Sequence, residues 1–113
     1  MTIDDLKAYG ANTEEGLHRC MENESFYLSM VRMIPGDQGF QKLYDAIDSG
    51  DLKTAFEAAH SLKGSTGNLA LTPIYEPAAE ITELLRANTQ TDYSALVSAI
   101  RAGRDELERI CEK

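Results

Sequence analysis

The segment His60-Ser61-Leu62-Lys63-Gly64 places a nucleophile, a cation and a position without a side chain within five residues. The stretch from Asp51 to Ala70 predicts a helix, because Leu52, Ala55, Phe56, Ala59, Leu62, Thr66 and Leu69 recur at helical spacing. At about 100° per residue those side chains centre on one side, and His60 falls roughly 125° away from that centre. Lys63, Gly64 and Gly67 fall within about 60° of His60 on the same projection. A glycine in a helix interior is about 1 kcal/mol less favourable than alanine, so packing alone does not account for two of them here. The face carries one imidazole, one ammonium and two bare positions, an arrangement that lets another surface approach the ring. Phe56 lies at the edge of this face, where it serves either a partner or the core.

Rival chemistry is weaker. Glu15 with His18, and Glu57 with His60, repeat the Glu-x-x-His spacing by which four-helix bundles hold two metal ions. Those sites need side chains that project into the bundle, whereas Glu57 lies about 60° from His60, on the side away from the core. That reading also gives Lys63 and Gly64 no task, so no metal site is expected. His18 has no Lys-Gly sequel and reads as a surface residue. Cys20, beside Leu17 and Met21, and Cys111, beside Leu107 and Ile110, sit on apolar helical stripes and are expected to be buried and reduced. The absence of a Gly-rich nucleotide loop in 113 residues argues against an autonomous kinase.

The elements that position these residues all read as helices, since no segment shows sustained period-2 alternation. Asn12-Thr13-Glu14-Glu15 predicts a capped helix through Leu17, His18 and Met21. A second runs from about Glu24 to Met33, with Phe26, Tyr27, Met30 and Met33 expected on its inner side, and Pro35-Gly36 ends it. A third carries Phe40, Leu43, Tyr44 and Ile47 up to Ser49-Gly50, after which Asp51 caps the histidine helix. Thr72-Pro73 is read as a cap with proline at the first helical position, and Pro77 as a residue that delays or kinks the first turn of the next helix. The last helix takes Tyr93, Leu96, Val97, Ile100, Leu107 and Ile110, with Gly103 interrupting the stripe. Short connections make neighbours antiparallel. The expected fold is all-α: an up-down antiparallel four-helix bundle with additional short N-terminal helices. Residues 1–113 form one domain in this reading, 1–36 as covering helices and 37–113 as the bundle, with the histidine helix at about 51–70.

Composition is that of a folded globular chain, with 42% hydrophobic and 27% charged residues. A net charge of -8 argues against nucleic acid and anionic membrane surfaces as partners. No apolar run is long enough to span a bilayer, and the start lacks the layout of a signal peptide. A cytoplasmic protein is the expectation.

His60-Ser61-Leu62-Lys63-Gly64, preceded by Ala58-Ala59 and followed by Gly67 and Leu69, resembles the signature of histidine-containing phosphotransfer (HPt) domains. The likeness takes in the Gly-Asp turn before the histidine helix, the helical hairpin after it and the overall size, although residues 1–37 are less diagnostic. Ala70 departs from the pattern, since members often have a glycine there. Alanine is small and favours helix, so little functional cost is expected.

The resemblance implies that His60 accepts a phosphoryl group from an aspartyl phosphate on a receiver domain and passes it to another receiver. The residues suit that chemistry. A neutral imidazole, with an ordinary pKa of about 6.5, has one unprotonated nitrogen to act as nucleophile. Phosphoryl transfer depends on in-line positioning and on neutralising charge at the equatorial oxygens. Lys63 would supply that charge, Gly64 the clearance, and Phe56 and Gly67 contacts to the partner. The partners implied are receiver domains of response regulators or hybrid histidine kinases. Mg²⁺ is expected on the receiver and no cofactor on this chain, a monomeric phosphocarrier without kinase activity of its own. Arg86 and Arg101 are further cations for a binding surface, with no orientation fixed by sequence. The alternative from another class is a non-catalytic helical adaptor, in which His60 is incidental.

Overall fold

The computed structural model describes all residues, 1–113, as seven helices without a strand. Three short helices, α1 (Ile3–Tyr9), α2 (Thr13–Arg19) and α3 (Glu24–Met33), precede α4 (Gly39–Ser49), α5 (Leu52–Asn68), α6 (Thr72–Arg86) and α7 (Ser94–Cys111). The last four, joined by short connections, pack in sequence order as an up-down antiparallel bundle, and α1 docks on α7. No helix is long and apolar enough to cross a membrane.

Helix α5, which carries the histidine, lies between α4 and α6. The Asp51 carboxylate accepts the Thr54 N–H at 3.1 Å and so caps its start. Gly50 turns the chain out of α4 at φ +77°, a conformation that suits glycine. The inward face of α5 is made of Ala55, Ala58, Ala59, Leu62 and Thr66, all buried, and its alanines allow close approach of both neighbours. The Thr66 hydroxyl satisfies itself on the Leu62 carbonyl at 2.7 Å. Leu43, Ile74, Ile81, Ile100 and Leu107 complete the centre of the bundle.

Helix α6 runs through Pro77 unbroken. Proline cannot donate to the carbonyl four residues before it, here that of Pro73. α7 passes that carbonyl closely at Gly103, where a β-carbon would lie 3.0 Å from the Pro73 oxygen. The interruption in the α7 stripe is thus a point of backbone contact between helices.

Several local expectations need correction. α1 was not anticipated, although Thr2 and Asp5 form a reciprocal capping box and Gly10 closes the helix at φ +110°. α2 stops at Arg19, and Met21, at φ +59°, turns outward with 87% exposure instead of lying beside Cys20. Phe26 and Met33 are 49% and 68% exposed, because Tyr27, Leu28 and Val31 form the stripe that α3 buries. The cap of α6 is Leu71, which places Pro73 at the second helical position. The cysteines are free, Cys20 buried and Cys111 half-buried.

The histidine helix ends at Asn68, short of Ala70, which adopts φ +55°. A left-handed residue gains nothing from helix propensity, so alanine is not favoured there; the geometry is one that glycine adopts more readily.

Candidate functional site

His60 is exposed at the middle of the seventeen-residue α5. Its ring stacks on Phe56, one turn earlier, with centroids 5.6 Å apart and planes inclined by 28°. Phe56 is half-buried against the core, and the Arg86 guanidinium carbon lies 5.1 Å from its ring centroid. Phe56 therefore supports the imidazole from within the fold, and of Arg86 and Arg101 it is Arg86 that reaches this side of the bundle. Arg101 lies over Tyr44 at 4.1 Å and lines a separate groove with Arg104.

Lys63 extends its ammonium to 3.8 Å from Glu83 on α6. The second oxygen of Glu83 accepts the Arg86 Nε–H at 3.3 Å. One carboxylate thus holds two cations on the histidine side of the bundle. Exposed ion pairs of this kind are worth about 0–1 kcal/mol, so neither cation is committed against a stronger anionic ligand.

The two glycines differ. A β-carbon at Gly64 would meet nothing within 4 Å, which leaves open space beside His60. A β-carbon at Gly67 would lie 2.9 Å from the ring of Tyr75. Gly67 therefore makes room for a neighbouring side chain of its own fold and does not extend the cleared strip as expected.

A groove of about 530 Å³ runs beside this face. His60, Lys63 and Gly64 line one side, and Glu15 and Arg19 of α2 with its cap Asn12 line another. The Asn12 N–H donates to the Ala70 carbonyl at 2.9 Å, which ties α2 to the end of α5. Sequence reasoning missed Glu83, Tyr75 and the α2 residues. The α2 signal was confined to the Asn12 cap, which says nothing of its tertiary position. His18 is exposed, 3.5 Å from Glu22, in another shallow groove. No three His, Cys, Asp or Glu side chains lie where they could share a metal ion.

The site thus offers a solvent-facing imidazole with fixed support, a nearby pair of cations and an unobstructed approach. The Hpt domain family model matches residues 36–112, which covers α4 to α7 and leaves α1 to α3 outside. No curated protein and no solved structure gives a significant match.

Proposed function

The chain belongs to the Hpt domain family of phosphorelay proteins, and on that premise we propose that His60 carries the phosphoryl group. The observation that bears most weight is the open space at Gly64 beside an exposed ring that Phe56 supports. Phosphoryl transfer between two proteins needs a nucleophile that an aspartyl phosphate can reach in line, and little covalent assistance.

In the proposed step the unprotonated ring nitrogen attacks phosphorus. A nitrogen–phosphorus bond forms as the bond to the aspartyl oxygen breaks, and the aspartate leaves as a carboxylate on the receiver. Lys63 turns from Glu83 toward the transferring oxygens, while the stacked Phe56 limits rotation of the ring. The reverse sequence on a second receiver regenerates His60, so the chain is a reversible carrier between receiver domains. Mg²⁺ belongs to the receiver in this scheme, and residues 37–113 form the relay bundle within a single domain.

Mixing the protein with a phosphorylated receiver domain and following acid-labile phosphate tests the reading. The wild-type chain gains label and His60→Gln does not. Equal labelling of both would refute the assignment. A partner bound equally well by both chains without transfer would favour the adaptor reading instead.

A further inference from the structure

We propose that α2, which lies outside the family match, is a receiver-selecting wall of the histidine groove, with Arg19 as its contact to an acidic side chain of the docked receiver. The inference rests on the reading of His60 given above.

Two hydrogen bonds tie the N-terminal segment to the turn that follows the histidine helix, and one packing contact joins α2 to that segment. The Asn12 N–H donates to the carbonyl of left-handed Ala70 at 2.9 Å. The buried Tyr27 hydroxyl donates to the Leu69 carbonyl at 2.8 Å. Gly16 admits the Tyr27 ring, which a β-carbon there would approach to 2.5 Å. The Leu69 and Ala70 carbonyls of the turn after α5 are thereby satisfied by the N-terminal segment, and α2 is held beside the histidine groove.

The wall displays a guanidinium. Arg19 donates from Nε and Nη2 to the Glu15 Oε1 at 3.2 and 3.0 Å, and Glu15 is set in turn by its N–H bond to the Asn12 side chain at 3.2 Å. The Arg19 side chain is still 49% exposed in the groove that holds His60. Its remaining donors suit the planar fork of a carboxylate.

Charge gives this display a purpose. The chain has a net charge of -8, and the group it receives is anionic, so attraction must be local. Lys63 and Arg19 are the cations that line the groove, and Lys63 must attend the transferring group. Arg86, the other cation on this side, is held by Glu83 beside the Phe56 ring, which leaves Arg19 for the receiver itself. A contact beyond the reacting atoms governs which partner docks and how fast, and leaves the chemical step alone.

The test uses the full chain and a panel of purified receivers phosphorylated with acetyl phosphate. Arg19→Glu is expected to raise KM for the served receiver at least about tenfold, with kcat at saturation changed less than about twofold. Arg19→Lys recovers most of the loss, and the difference shrinks as salt rises. Loading by phosphoramidate, which has no docking surface, is retained; its P–N bond breaks and ammonia leaves with the proton given up by the ring. An unchanged KM in both Arg19→Glu and Arg19→Ala, with His60→Gln inactive, overturns the role of α2 alone. Loading of His60→Gln by either donor overturns the reading of His60, and this inference with it.

Discussion

Lys63 of α5 and Glu83 of α6 meet across the helix interface at 3.8 Å, and the same carboxylate holds Arg86 at 3.3 Å. Glu83 therefore competes with any anion on His60 for both cations. Glu83→Gln is expected to shift the phosphoryl partition toward His60 by up to about fivefold at low salt, the equivalent of about 1 kcal/mol for an exposed pair. The shift should vanish at about 1 M salt, where charges are screened within about 3 Å. Partition of label between a receiver and this chain measures it, and no shift at low salt would detach Lys63 from the phosphoryl group.

Gly64 separates stability from transfer. With nothing near its missing β-carbon, Gly64→Ala should stabilise the fold by up to about 1 kcal/mol, through helix propensity and a more restricted unfolded chain. Gly64→Phe should fold as well, yet slow transfer from a receiver at least about tenfold, or about 1.4 kcal/mol in the barrier. Wild-type transfer rates in Gly64→Phe would remove the clearance role.

The same substitution three residues on should have the opposite sign. Gly67→Ala sets a methyl group 2.9 Å from the Tyr75 ring and is expected to destabilise by about 1–3 kcal/mol. Tyr75→Leu added to it should recover most of that loss. Denaturant unfolding of the four proteins gives the coupling energy, and additive effects would show that the two residues do not collide.

Alkaline stability should report on the Tyr27 anchor. Burial pushes its phenol up to about 12, from an ordinary 10.0. The folded state thus retains a proton that the unfolded state releases, so this contribution is complete below pH 10 and is lost between pH 10 and 12. Tyr27→Phe deprives the Leu69 carbonyl of its partner and should cost about 1–3 kcal/mol at neutral pH. Its stability should also fall less steeply across that alkaline window, and parallel curves would show that Tyr27 titrates as freely folded as unfolded.

The order of the helices and the exposure of His60 were legible because seventeen residues of one periodicity define a face without outside help. α1 escaped notice because seven residues with a single buried side chain, Leu6, have no stripe to read. Phe26 and Met33 misled because residue type says what can be buried, and tertiary contact chooses among competing stripes. The contacts of Gly67 and Glu83 depend on α6, and the role proposed for Arg19 on α2, all distant in sequence from His60. Ala70 deceived for a different reason: its left-handed backbone is imposed by the loop it closes, and alanine gives no sign of it.

The central placement of His60 in α5 has an electrostatic consequence. Each end of the helix lies about 12 Å away at 1.5 Å per residue. The partial charges of helix termini act within the first and last turns, so the backbone neither cradles nor repels an anion on this ring. Anion sites at helix N-termini retain their ligand through such charges. Here charge beside the ring comes from side chains, and Lys63 is already paired with Glu83. On the proposed reading, the backbone field therefore adds nothing to the stability of a phosphorylated ring, and the balance between His60 and a receiver rests on side-chain charge.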